Sequence, residues 1–365
     1  MHALRAAAHP PSLSTKGPSP GGARGGPLLS SIPDVTRSDI SAAPLPAAER
    51  ARVLDFEHRK RERSVWPRVL SLRYLTTALG RLGRGTAAVD AAPVARPPAG
   101  TVSITFVGHA TVMITTPAVR LLTDPLLENS FYGIRRAKAA GIAEEDLDDV
   151  DLVLVTHAHR DHLSRTSIMR VARKAVLVVP PRCTSLVRGL GFADIVELDP
   201  GSSYQLGDVE VTAVPVRHSG TRGLGDYLRR GACGYVVRAR ALSASATASA
   251  CAYLAGDTGY FSGFAEIGRR FHPDVALLPI AGYEPAAFRE EHLSPLDALY
   301  AFDDLGARLL VPTSYGSFPL SYERLDAPLA WLQALTRERG FARQDNDRRV
   351  AILDHGQTLH VRMHA

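Results

Sequence analysis

The residues with the clearest chemical potential are His157-Ala158-His159-Arg160-Asp161-His162, three imidazoles and one carboxylate within six positions. Imidazole nitrogen and carboxylate oxygen are the donors that Zn²⁺ and similar ions prefer. In a loop that folds back on itself, alternate residues of such a run aim at one point. The last two can aim at a second point nearby. The chemistry this suits is metal-assisted hydrolysis, in which a bound ion makes hydroxide available at neutral pH.

Such a loop needs a rigid base. Asp151–Thr156 (DLVLVT) is a short apolar run directly before the histidines and predicts a buried strand. Thr101–Val107 and Thr111–Thr115 read as strands joined by a turn at Gly108-His109, and Val119–Thr123 as a third. Ala175–Val179, Val209–Pro215, Asp274–Pro279 and Arg308–Val311 are further strands. Tyr235–Arg240 and Ala252–Ala255 form a hairpin around the Ser/Ala tract 241–250. Ser164 is placed to cap a helix through about Ala172. Ser294-Pro295 starts a helix that Gly306 ends. A helix over 321–339 is expected to be interrupted near Pro328, and 350–361 to form a terminal hairpin.

The whole chain has 365 residues and a net charge of +6, which superficially suggests nucleic acid or membrane as a partner. The charge is unevenly placed. Residues 1–85 carry 14 Lys+Arg against 6 Asp+Glu, whereas 86–365 carry 29 against 31. The larger part is therefore not a basic domain, which argues against a nucleic-acid groove there. Residues 1–50 hold 8 Pro and 5 Gly and predict disorder. Within 51–85, Val65, Val69, Leu72, Leu75, Leu79 and Leu82 share one helical face behind a basic run. Residues 86–100 read as a linker or extended arm. No apolar stretch is long enough to span a membrane, and no leader pattern opens the chain. Three cysteines (Cys183, Cys233, Cys251) without a CxxC pair predict reduced thiols and a cytoplasmic setting.

The HxHxDH run resembles the metallo-β-lactamase fold superfamily. Phe106-Val107-Gly108-His109-Ala110-Thr111, Leu122-Thr123-Asp124-Pro125, Gly256-Asp257-Thr258-Gly259-Tyr260 and Pro279-Ile280-Ala281-Gly282-Tyr283-Glu284-Pro285 narrow the likeness. They resemble the branch of N-acylphosphatidylethanolamine-hydrolysing phospholipase D and its bacterial relatives. Ascorbate-6-phosphate lactonase-like proteins are more distant cousins. The resemblance covers roughly residues 101–320 and implies an α/β fold, an αββα sandwich in a domain spanning 101–365; the disordered segment (1–50) and the basic helix with linker (51–100), read from composition, precede it. It implies His157, His159 and His218 as one metal site, and Asp161, His162 and Asp257 as further ligands. Asp161 and Asp257 would also act catalytically. His292, Tyr283 and Ser314 would face substrate. His109 and Asp124 would orient the ligands.

One position departs from the family. Its last ligand is a histidine in a His-Trp-Gly-Thr-Phe motif, and here Ser314-Tyr315-Gly316-Ser317-Phe318 stands in that place. A hydroxyl is a poor Zn²⁺ donor, so one tightly bound zinc and a weakened or absent second are expected, with His292 the candidate substitute. The other histidines, His355 among them, read as surface residues. The implied function is hydrolysis of a phosphodiester, such as a glycerophospholipid, by metal-bound hydroxide. Hydrolysis of a lactone or ester is the alternative, and a non-catalytic metal-binding member the third reading. The 51–85 segment is then a candidate peripheral contact with the inner membrane face, against the simpler role of docking on the catalytic domain. In vesicle sedimentation, the full chain is expected to pellet with anionic lipid and a chain lacking 1–85 to remain in solution. Equal pelleting of both would remove the membrane role.

Overall fold

The computed structural model describes residues 85–171, 174–223, 230–241, 248–341 and 347–364, together with the short strand β1 (Arg24–Gly25). The remainder of the 1–50 segment and the helix expected within 51–85 lie outside the described residues. Strands β2 (Thr101–Gly108), β3 (Thr111–Thr115) and β4 (Arg120–Thr123) form an antiparallel run. A small hairpin, β5 (Ser130–Phe131) with β6 (Ile134–Arg135), follows. Then β7 (Leu152–Leu154), β8 (Val176–Val179) and β9 (Asp194–Glu197) add in parallel. Helices α1 (Glu144–Asp148), α2 (Arg165–Ile168) and α3 (Thr184–Val187) make the crossovers between them.

The second sheet continues with β10 (Ser202–Leu206), β11 (Val209–Val214), β12 (Gly234–Arg240) and β13 (Ser249–Leu254), all antiparallel. It then turns parallel through β14 (Val275–Pro279), β15 (Leu309–Thr313) and β16 (Arg349–Val350). Helices α4 (Gly263–Phe271), α5 (Pro295–Leu305) and α6 (Ala327–Glu338) connect these strands. The last strand, β17 (Thr358–Arg362), returns to pair antiparallel with β2. The sheet orders are β1-β10-β11-β12-β13-β14-β15-β16 and β17-β2-β3-β4-β7-β8-β9.

Side-chain alternation shows the layering. Along β7 and its flanks, Leu152 and Leu154 join the core shared with the other sheet. Val153 and Val155 join a second core with Leu147, Ile168 and Val187 from α1, α2 and α3. Successive side chains of a strand point to opposite faces, so a strand buried on both faces reads as an unbroken apolar run. Phe264 of α4, Leu299 of α5 and Leu332 of α6 join the larger core. The result is the expected αββα sandwich.

Several local expectations hold. Ser164 accepts the Ser167 N–H, although the helix it caps ends at Ile168, short of the expected Ala172, and Ser294 with Asp297 forms a reciprocal capping box at the start of α5. Gly306 ends α5 in a left-handed conformation, φ 64°. Others are corrected. Helix α6 begins at Ala327 with Pro328 in its first turn, where proline's missing N–H does no harm, so the proline starts the helix instead of interrupting it. The 350–361 segment is not a hairpin, because β16 and β17 belong to different sheets and the chain crosses between them. Strands β9 and β10 and helix α4 had no clear sequence signal.

The same crossing buries His355, a second correction. It is 7% exposed, packs edge-on to Phe106 at 5.3 Å between ring centroids, and its Nδ1–H donates to the Ala139 carbonyl at 2.9 Å. Burial pushes its pKa from 6.5 down to about 4, with Arg136 and Lys138 adding to the shift. Below pH 6.5 the unfolded chain therefore takes up a proton that the folded chain refuses. Stability should fall as pH drops from about 6.5 to about 4, by up to roughly 3 kcal/mol from this group. Urea titrations across that range should show a shallower pH slope for His355→Gln than for the unmodified protein. Parallel slopes would show that His355 is not the group responsible.

Candidate metal centre

The site lies at one edge of the sandwich, where strand ends from both sheets meet. The His157–His162 loop follows β7, Asp124 follows β4, His218 lies beyond β11, Asp257 beyond β13 and Ser314 directly after β15. His109 sits in the β2–β3 turn, and His292 precedes α5. Chain ends of parallel strands leave a crevice where loops converge, which favours a site there.

A buried carboxylate sets the direction of two imidazoles. Asp124 is 1% exposed. Its Oδ1 accepts the Thr156 N–H at 2.7 Å, and its Oδ2 accepts the Thr156 hydroxyl at 2.6 Å and the His162 Nδ1–H at 2.9 Å. Because the Thr156 hydroxyl donates to Asp124, it accepts from His157 Nδ1, 3.0 Å away. The network thus places a proton on Nδ1 in both histidines and turns both Nε2 atoms inward. His218 is held likewise, its Nδ1–H donating to the Glu291 carbonyl at 3.0 Å. Gly256 lets the Asp257 loop approach: at φ +62° a Cβ there would lie 2.6 Å from the Thr156 side chain.

The free donor atoms converge. His157, His159 and His218 offer nitrogens that all lie within 4.8 Å of one another, and His218 Nε2 is 3.2 Å from His159 Nδ1. His162 Nε2 lies 3.1 Å from Asp257 Oδ2 and 3.8 Å from Asp161 Oδ2. His292 Nε2 is 3.6 Å from Asp257 Oδ2. His157 Nε2 and His162 Nε2 are buried without a hydrogen-bond partner. Buried polar atoms are ordinarily satisfied, and two orphaned imidazole nitrogens among carboxylates fit a cation as their missing partner.

Electrostatics agree. Burial holds the His157, His159 and His218 imidazoles below their ordinary pKa, His218 at about 3, so all three are neutral at pH 7 as metal binding requires. Burial acts to raise the Asp161 and Asp257 carboxyls, but the His162 imidazole beside them wins and both are held below the usual range. Burial acts to lower His162, yet Asp257, Asp124 and Asp161 raise it well above its ordinary value. That negative field is what a cation bound there would feel.

All six ligand residues read from the sequence are thus brought together, and His292 joins them. Ser314 lines the cavity, and its Oγ is buried without a partner. Asp124 bonds His162 directly and His157 through Thr156. His109 stands closer than expected, its Nε2 3.3 Å from Asp161 Oδ2. Tyr283, expected to face substrate, instead packs edge-on to Trp331 at 5.4 Å. Three supporting residues had no local sequence signal. Thr156 relays between His157 and Asp124, Ser317 Oγ accepts the His109 N–H at 2.6 Å, and buried Glu323 accepts the Gly282 and Glu284 N–H groups. A cavity of about 250 Å³ opens beside the cluster, walled by Phe288, Phe318, Pro319, Leu320 and Leu325.

Residues 119–315 match the family model of the beta-lactamase superfamily domain. The chain is 30% identical over 236 residues to an N-acyl-phosphatidylethanolamine-hydrolyzing phospholipase D 1 of Caenorhabditis elegans, covering 59% of this chain and 64% of that relative. It therefore spans just under two thirds of that relative's length. It is 31% identical over 216 residues to a UPF0173 metal-dependent hydrolase of Caldivirga maquilingensis, covering 59% of this chain and 82% of the relative. Among solved structures, the isothiocyanate hydrolase of Delia radicum gut bacteria shares the fold at 22% identity, with a TM-score of 0.56 over 70% of this chain and 98% of that one.

Asp124→Asn would place an amide N–H against His162 or Thr156 and disturb both Nε2 lone pairs. Metal affinity is expected to fall about 10- to 100-fold, measured by competition with a chromogenic chelator. Unchanged affinity would mean that the relay does not orient the imidazoles.

Proposed function

Because the chain belongs to the beta-lactamase superfamily, we propose that it is a metal-dependent hydrolase acting on a phosphodiester, in the manner of a phospholipase D. The observation that carries the metal-dependent hydrolase reading is the convergence of His157, His159 and His218 beside two ionised carboxylates. The donor set suits Zn²⁺. The match to a phospholipase D from a nematode supports the choice of bond. The apolar wall of the cavity suits an organic substituent next to the reacting centre. No helix among the described residues is long and apolar enough to cross a membrane. A lipid substrate would accordingly be met at a surface, for which the basic 51–85 segment is the candidate contact, on the cytoplasmic side.

When bound, a divalent ion supplies Lewis acidity and lowers the pKa of water toward 7. The chain supplies the rest. His157, His159 and His218 would hold the ion. Asp161 and Asp257 would help hold the ions and would orient the attacking water, whose proton leaves to solvent once its pKa is lowered toward 7. Burial acts to lower the His292 pKa, but the Asp257 carboxylate raises it above its ordinary value. His292 Nε2, at the cavity wall and 3.6 Å from Asp257 Oδ2, is placed to donate a proton to the leaving oxygen as the phosphorus–oxygen bond breaks. Phe288 and Phe318 limit water on that side.

A panel of bis-p-nitrophenyl phosphate and simple lactones tests the reading. Phosphodiester hydrolysis should be abolished by chelation and restored by Zn²⁺, and His292→Gln should lower kcat by about 10²- to 10⁴-fold. Turnover of lactones alone would favour the ester-hydrolase reading. Turnover of neither by metal-loaded protein would favour a non-catalytic metal-binding role.

A further inference from the structure

We propose that His109 supplies the imidazole that Ser314 cannot, completing a second metal site with Asp161, His162 and the shared carboxylate of Asp257. This rests on the metal-centre reading above but not on any choice of substrate. One ring nitrogen each of His109 and His162 and a carboxylate oxygen of Asp161 all lie within 4.8 Å of one another. The His109 to Asp161 separation is 3.3 Å, His162 to Asp161 is 3.8 Å and His162 to Asp257 is 3.1 Å. A tetrahedral ion with arms of about 2.05 Å sets its ligand atoms about 3.3 Å apart. The His109, Asp161 and His162 atoms therefore lie near the spacing of one coordination shell, and Asp257 adjoins them through His162. His162 is 0% exposed, and its Nε2 points into this group with no hydrogen-bond partner.

The turn carrying His109 is built for placement. His109 has φ 58°, a left-handed conformation unfavourable for a residue with a Cβ. Such backbone persists where the surroundings hold it, and it concentrates at functional sites. Here the loop after β15 holds it at both ends. The His109 N–H donates to Ser317 Oγ at 2.6 Å, and the His109 carbonyl accepts the Ser314 N–H at 2.9 Å. Ser317 is in turn 3.2 Å from His355 Nε2. The segment that offers a serine as side chain thus fixes, through its backbone, the neighbouring turn that offers an imidazole. His292, the other candidate substitute, groups with His218 and Asp257, away from Asp161. The weak second site expected from Ser314 alone is replaced by a complete one.

The full chain, loaded with Zn²⁺ and dialysed against metal-free buffer, should retain two ions by mass spectrometric metal analysis. His109→Ala should retain one, and the double variant His109→Ala/Ser314→His should return to two. Two ions retained by His109→Ala would overturn the assignment. So would one ion in the unmodified protein that rises to two with Ser314→His alone. A measurement on the unmodified chain avoids any folding defect of the variants: in ¹¹³Cd-loaded protein, His109 Nε2 should show one-bond ¹¹³Cd–¹⁵N coupling, and its absence there overturns the proposal. Metal content is read without substrate, so two ions in an inactive protein would uphold His109 while removing the hydrolase reading. One ion in an active protein would do the reverse.

Discussion

A carboxylate buried at the end of β4 governs the site. Burying a charge is costly unless donors surround it, and Asp124 collects three, two from Thr156 and one from His162. Each bond also does directional service. The Thr156 amide ties the end of β7 to the end of β4, in line with their parallel register. The Thr156 hydroxyl passes the polarity to His157, and the direct bond orients His162. Two imidazoles that compose one loop are thereby turned inward by a group that touches no reacting atom.

The two-sheet architecture makes that arrangement stiff. The strand beneath the loop is buried on both faces, against the facing sheet on one side and α1, α2 and α3 on the other. A one-residue slip would exchange its two sets of side chains between cores of different shape. The register is therefore set by packing, and the loop starts from a defined point. The opposite sheet brings His218 and Asp257 from the ends of β11 and β13, and Gly256 allows the contact with Thr156 that closes the gap. The ligands come from distant parts of the chain, so their geometry depends on sheet packing more than on local backbone preference.

The loop after β15 and the β2–β3 turn are tied to each other beside the metal-binding cluster. Ser314 contributes backbone in place of an imidazole, and Ser317 contributes a hydroxyl. Both act on His109, whose neighbour Gly108 has φ 118° and could not carry a Cβ without meeting Arg136 and His355. The turn is thus packed tightly on the interior as well as hydrogen-bonded at its rim.

The His157–His162 run, the strand before it and the order of His218 and Asp257 were legible from residue types alone, because donor chemistry and apolar runs are properties of the chain itself. The sandwich followed by resemblance, and the capping of α5 by Ser294 and Asp297 was local enough to read directly. The standing of His109, His355, Tyr283 and Ser317 was not legible. Nothing near His355 distinguishes it from a solvated histidine until the chain crosses from β16 to β17 and buries it under Phe106. Tyr283 sits in a motif that suggested a pocket, yet α6 brings Trp331 against it. The sequence by itself determined which atoms could bind a metal and which segments could carry them. Only the tertiary structure decided which of those atoms meet, since contacts between residues far apart in sequence are set by how the two sheets pack, and that packing is a collective property of the buried side chains.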